Sequence, residues 1–280
     1  MNSICVIGAG TMGSGIAQTA AQNGFNTLLF DINFDVVEKA KAAINKSLEF
    51  LVSKEKISGT NKEAIQKRIS YITNIQECRA DVIIEAIVEK TEAKVSLFNQ
   101  LAAINKSETI FASNTSSLSI SEIQSKLKNP QQVVGMHFFN PAQVMKLVEV
   151  VKGKQTAEAV AQKVYNLCLQ LKKTPVMCKD APGFIVNRVA RHYYLEAMKL
   201  VETGIASIEN VDEIMEASGF KMGPFKLMDL IGNDINLAVS QSLYDAFAQV
   251  DRFRPSPLQV QKVKQGQLGK KTGEGFYKYN

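Results

Sequence analysis

The run Ile-Cys-Val-Ile-Gly-Ala-Gly-Thr-Met-Gly, residues 4–13, limits what this chain can fold into more than any other stretch of it. An apolar strand feeds directly into Gly8, Gly10 and Gly13, and a helical pattern from Thr11 to Asn23 follows. Gly8 permits a tight turn, Gly10 lets the backbone approach a pyrophosphate, and Gly13 lets the helix pack closely on the strand. The helix N-terminus then offers N–H groups and a partial positive charge to phosphates. The next apolar run, Thr27-Leu-Leu-Phe, closes on Asp31, where a carboxylate can accept hydrogen bonds from ribose hydroxyls and repel a 2′-phosphate. The expected ligand is a dinucleotide, NAD rather than NADP, held by Gly8, Gly10, Thr11, Met12, Gly13 and Asp31.

At 280 residues, with 45% hydrophobic and 21% charged side chains, the chain has the composition of a globular protein with a real core. It contains no apolar run long enough to span a bilayer, and its first strand starts too early to leave room for a signal peptide. The expectation is a cytoplasmic protein with no membrane partner. Cys5, Cys78, Cys168 and Cys178 form no C-x-x-C pair and no metal-ligand spacing with histidine, so they read as buried thiols, and no metal is expected. The net charge of +6 is spread among nearly as many acids, without a basic block or a base-stacking motif, so a small anionic ligand explains it better than nucleic acid does.

Up to about residue 180, short apolar runs alternate with amphipathic segments, which predicts a Rossmann-like, doubly wound α/β sheet. After the strand at 27–30, Val37, Ala40, Ile44, Leu48 and Leu51 mark one face of a helix. Further strands are expected over 71–75, 81–87, 109–112, 132–138, 147–151 and 175–178, with helices near 91–104, 119–127 and 156–172. The pattern changes at Asp180-Ala-Pro-Gly-Phe. We therefore expect a nucleotide-binding domain over 1–182 and an all-helical domain over 183–280, with helices at 184–203, 207–218, 225–231, 234–248 and 257–265. The glycine-rich, basic tail at 269–277 reads as a loop able to fold back on the first domain.

One of only two histidines, His137, ends an apolar strand in Gly-Met-His-Phe-Phe-Asn-Pro. Open α/β folds place ligands at the carboxyl ends of their strands, and oxidation of an alcohol needs a base titrating near neutrality. Taken alone, a histidine at a strand end is more often structural; His192, within Arg-His-Tyr-Tyr, is read as structural or exposed. Glu149 sits inside Leu-Val-Glu-Val-Val, where an unpaired carboxylate would be costly to desolvate. A chain reversal at Asn140-Pro141 would bring it to the imidazole, whose basicity and orientation it would set, unless it lies on a solvent-facing edge strand. Ala-Ser-Asn-Thr-Ser-Ser, 112–117, holds more small polar side chains than the capping of the next helix requires, and suggests a polar pocket. Asn187 is an amide at a helix position where Ala or Leu would serve better.

Together these residues resemble the 3-hydroxyacyl-CoA dehydrogenase family. The likeness runs the whole length of the chain, through Gly-Ala-Gly-Thr-Met-Gly at 8–13, Glu-Ala-Ile-Val-Glu at 85–89, Ser-Asn-Thr-Ser-Ser at 113–117, His-Phe-Phe-Asn-Pro at 137–141 and Gly-Glu-Gly-Phe-Tyr at 273–277. In length the chain is most similar to the short bacterial 3-hydroxybutyryl-CoA dehydrogenases. The resemblance implies an NAD-binding domain, a helical domain that forms a homodimer, and an active site between them acting on an acyl-CoA thioester in fatty-acid or butanoate metabolism. His137 then matches the catalytic base, Glu149 its partner, Ser116 the serine that binds the C3 oxygen and Asn187 an amide near the thioester. Glu89, Lys94, Asn114 and Lys271 match residues lining the cofactor site; Ser47, Lys54 and Asn140 match positions toward the substrate, the first two at its CoA portion. The rival readings are a β-hydroxy-acid dehydrogenase that needs no CoA, and a structural relative without turnover, as in lens crystallin.

Overall fold

The computed structural model describes residues 2–279 and divides into two compact units, Met1–Ala181 and Pro182–Asn280. In the first, the strands are β1 (Ser3–Ile7), β2 (Asn26–Phe30), β3 (Ile69–Ile72), β4 (Val82–Glu85), β5 (Ile110–Ser113), β6 (Val133–Phe138), β7 (Leu147–Lys152) and β8 (Thr174–Lys179). The helices between them are α1 (Thr11–Gln22), α2 (Phe34–Ser53), α3 (Gly59–Lys67), α4 (Thr91–Ile104), α5 (Ile120–Ser125) and α6 (Glu158–Gln170). All eight strands join one sheet in the order β3-β2-β1-β4-β5-β6-β7-β8, parallel except where β6 and β7 run antiparallel. The order reverses at β1, between β2 and β4, and such a reversal opens a crevice at the carboxyl ends of the strands.

The core follows from the sequence pattern. The fully buried runs Ile4 to Val6 and Val82 to Ile84 are central strands covered on both faces. Val37, Ala40, Ile44 and Leu48 of α2 are buried as their spacing predicts, and Asn33 caps that helix by accepting the Asp35 N–H. Two local expectations fail. The helix α3 is absent from the sequence reading because only Ile65 is buried in its polar run, although Ser58 caps it by accepting the Asn61 N–H. The third strand starts at Ile69 rather than at 71 and ends at Ile72, and residues 75–77 form a short 3-10 turn capped by Asn74.

The second unit is helical: α7 (Val186–Glu202), α8 (Ile208–Ala217), α9 (Pro224–Ile231), α10 (Asn233–Ala246) and α11 (Pro257–Lys264). Gly232, at φ 106°, separates α9 from α10. Tyr194, Met198, Val211, Phe225, Met228 and Phe276 form its apolar centre. The C-terminal tail is pinned within this unit. Asp229 accepts the N–H groups of Phe276 and Tyr277, each at 2.9 Å, and the Tyr279 hydroxyl at 3.0 Å; Asp212 accepts the Tyr277 hydroxyl at 2.9 Å. Both carboxylates are buried, and the tail supplies donors they need. Among the described residues no helix is long and apolar enough to cross a membrane.

Candidate active site

The turn from β1 into α1 has the shape a dinucleotide requires. A Cβ on Gly13 would stand 1.7 Å from the Gly8 carbonyl oxygen, so helix and turn touch backbone to backbone. Gly8 has φ 96°, and a Cβ there would meet the Ala86 carbonyl oxygen at 2.6 Å. A Cβ on Gly10 would meet nothing within 4 Å, so its face of the turn is open to a ligand. Asp31 Oδ2 accepts the Ala9 N–H at 2.9 Å and Oδ1 accepts the Asn33 N–H at 3.1 Å, which fixes the carboxylate beside the glycine turn. A cleft of about 420 Å³ opens there, lined among others by Gly8, Asp31, Ile32, Ile75, Ile87 and Leu97. Apolar walls with one fixed acid suit an adenine and its ribose. Thr11 and Met12 form the first turn of α1 behind Gly10. The residues present fit NAD.

Farther along the sheet, β6 and β7 place His137 directly opposite Glu149. Imidazole Nδ1 lies 2.8 Å from Glu149 Oε2, and both side chains are buried. Glu149 is 1% exposed on a strand flanked by β6 and β8, so the edge-strand alternative fails. An ionised carboxylate can only accept, so the proton of the neutral ring sits on Nδ1 and base chemistry belongs to Nε2. The Phe139 ring packs 4.5 Å from the imidazole. The loop joining the two strands contains Asn140, which is exposed and precedes a cis Pro141. The buried Lys173 ammonium staples that loop by donating to the carbonyls of Ala142 and Met145 at 2.6 and 2.8 Å. Burial lowers the Lys173 pKa, as expected for an ammonium without a carboxylate partner.

Ser116 lies in the loop after β5, held from two sides. Asn114 Oδ1 accepts the Phe138 N–H at 2.8 Å, tying the loop to the residue after the histidine. On the other side Glu89 Oε1 accepts the Thr115 hydroxyl at 2.6 Å and the N–H groups of Ser116 and Ser117 at 2.9 and 3.1 Å. Partial burial pushes the Glu89 pKa up, but the Lys94 ammonium and these hydrogen bonds outweigh it and leave it below its ordinary value. Helix capping falls to Ser119, which accepts the Glu122 N–H, and not to any residue of 112–117.

The remaining expected residues are more scattered. Lys94 is 1% exposed, in ion pairs with Glu85 and Glu89. Ser47 accepts a hydrogen bond from Gln18 of α1 at 3.0 Å, and Lys54 follows the last residue of α2 with its ammonium over the Phe50 ring. Asn187 stands in the first turn of α7, half-buried, and Lys271 pairs with Asp234 at 2.6 Å within the helical unit. His192 is exposed. Of the cysteines, Cys178 is only half-buried, contrary to expectation; burial and the charges of Glu149 and Asp180 push its thiol up to about 12. The sequence reading missed Glu85, although a lone acid closing the apolar run Val-Ile-Ile is the same signal that exposed Glu149.

Fold and site so far define a nucleotide-binding α/β protein with a buried histidine–carboxylate pair on neighbouring strands. Comparison with known proteins narrows the class. The family model for the 3-hydroxyacyl-CoA dehydrogenase NAD binding domain matches residues 3–181, and that for the C-terminal domain of the same family matches 183–279. The chain therefore belongs to the 3-hydroxyacyl-CoA dehydrogenase family. It is 42% identical over 279 residues to a 3-hydroxybutyryl-CoA dehydrogenase of Clostridioides difficile, covering 99% of both chains. It is 46% identical over 279 residues to a 3-hydroxyadipyl-CoA dehydrogenase of Escherichia coli, covering 99% of this chain but 59% of that longer protein. The crystal structure of (S)-3-hydroxybutyryl-CoA dehydrogenase from Ralstonia eutropha matches with a TM-score of 0.96 at 39% identity, over 100% of this chain and 99% of that one.

Proposed function

We propose that this chain catalyses the reversible, NAD-dependent oxidation of a short L-3-hydroxyacyl-CoA, 3-hydroxybutyryl-CoA, to the 3-oxoacyl-CoA, acetoacetyl-CoA. The observation that carries the reading is the 2.8 Å contact between His137 and Glu149, set by strand register beside the loop that bears Ser116. NAD supplies the acceptor for the hydride that leaves C3. His137 Nε2 takes the proton of the 3-hydroxyl as that hydride leaves, and in reduction the imidazolium returns it. Glu149 orients the ring and stabilises the imidazolium. Ser116 donates to the C3 oxygen as charge changes there. Asn187 is assigned the thioester amide role and Asn140 a place toward the acyl chain. Lys54, just past the end of α2, is a point charge for the phosphates of CoA, as is expected of a position toward the CoA portion like Ser47. On the cofactor side, Asp31 takes the adenosine ribose and Gly8 to Gly13 the pyrophosphate, while Glu89, Lys94, Asn114 and Lys271 shape the remainder.

Oxidation of NADH with acetoacetyl-CoA, followed at the nicotinamide absorbance, tests this directly. Turnover with the thioester and little with free acetoacetate is the expected result. Equal use of the free acid would point to a β-hydroxy-acid dehydrogenase, and binding of NADH without turnover to a structural relative. The reading also holds the protein to be cytoplasmic and homodimeric, supported by its free cysteines and by apolar residues exposed on the helical unit. Recovery of the activity in the membrane fraction of lysed cells would overturn the first of these.

A further inference from the structure

Glu85 ends β4, has no exposed surface, and is not among the residues the family resemblance assigns. Its Oε1 accepts the Ile87 N–H at 2.8 Å and the Lys94 ammonium, and its Oε2 accepts the Ser113 hydroxyl at 2.7 Å. Lys94 reaches on to Glu89 Oε2 at 3.2 Å, and Glu89 Oε1 collects the donors of residues 115–117. Each carboxylate thus divides its oxygens between the lysine and the Ser113–Ser117 segment. A buried ion pair is a poor source of stability, since desolvation cancels most of the attraction, but it is directional and leaves little freedom once every lone pair is engaged. Here its direction points at one loop.

Resting on the function proposed above, we infer that Glu85 is a positioning residue for the reaction: through Lys94 and Glu89, and directly through Ser113, it sets where Ser116 stands relative to His137. The geometry closes around the loop. Glu85 and Ser113 are register partners at the ends of β4 and β5, and the next residue, Asn114, ties the loop to Phe138. Ser116 follows two residues on, its N–H held by Glu89 Oε1. Loss of the Glu85 charge frees Lys94 to follow Glu89 and removes an acceptor from the Ser113 hydroxyl, so the loop gains freedom while His137, Glu149 and the glycine turn are untouched.

The test compares wild type, Glu85→Gln, Ser116→Ala and the double variant in acetoacetyl-CoA reduction, with hydrogen–deuterium exchange of the peptide spanning 113–118. In Glu85→Gln we expect kcat to fall about tenfold with KM changed less than about threefold. Amide exchange in the loop should rise about fivefold. In the Ser116→Ala background, adding Glu85→Gln should change kcat by less than about twofold, because the group it positions is already gone. Losses that multiply, wild-type kcat in Glu85→Gln, or unchanged exchange would each overturn the inference. If Glu85→Gln does not fold, the pair Glu85→Met with Lys94→Met leaves no buried charge and is put through the same measurements; wild-type kcat there, or failure of this pair to fold as well, also overturns it. A wild type without turnover would sink the function reading, and loop exchange alone would then decide whether Glu85 orders the segment.

Discussion

In the proposed mechanism His137 and Glu149 each bring a distinct quantity to the reaction, and substitution can separate them. His137→Gln keeps a side chain of similar reach but removes the base, so kcat should fall about a thousandfold. Glu149→Gln keeps a hydrogen-bond acceptor for Nδ1 but removes the charge that supports the imidazolium, and about a hundredfold loss is expected. NADH affinity, read by fluorescence titration, should move less than about twofold in both, since Asp31 and the glycine turn are unaltered. Near-wild-type turnover of His137→Gln at neutral pH would remove the histidine from the mechanism. This pair was legible in the sequence because an acid inside an apolar run must find a partner, and one histidine ended the strand before it. Glu85 carried the same signal, but its partner Lys94 sits nine residues on in a helix, where a lysine ordinarily reads as solvated. Only the fold reveals that this turn of α4 faces inward.

Among the elements, the loop after β5 is tied to a titratable carboxylate, Glu89. The folded-state pKa of Glu89 lies below its ordinary 4.5, so the carboxylate's contribution is fully present above that value and is lost as pH falls through the lower folded value. Glu89→Gln should therefore show a shallower decline of melting temperature between about pH 5 and 3 than wild type does. Parallel declines would mean that the carboxylate adds nothing to folding. Elements with strong periodicity, α2 and the central strands, were readable because burial imposes the pattern. The helix α3 was not, since one buried isoleucine leaves no period to detect, and β3 was misplaced toward a turn whose Asn74 cap carries no apolar signal. The capping serine was likewise misassigned, because Ser119 competes with four hydroxyl residues just before it and only backbone geometry distinguishes them.

For the whole molecule, the helical unit exposes Val189, Ile214, Phe220, Leu230 and Ile235, side chains that a subunit contact could cover. Sedimentation equilibrium at micromolar concentration should give twice the chain mass of 30.8 kDa, and Leu230→Asp with Ile235→Asp should shift it toward the single chain. A wild type that sediments at the mass of one chain would refute the dimer. The change from alternating strands and helices to helices alone was visible in sequence, since Pro182-Gly183 breaks the pattern. The anchoring of the tail was not, because Asp212 and Asp229 look like ordinary helical acids until the donors from residues 276–279 converge on them.

The antiparallel hairpin of β6 and β7 has a consequence for how the protein is made. The strand pairing that sets imidazole against carboxylate is closed between Val133 and Lys152. A ribosome has therefore already polymerised both His137 and Glu149 before it translates the first codon of the helical unit. Nonsense or frameshift lesions downstream of that point still yield chains that carry this pair, deprived of Asn187 and the helical unit.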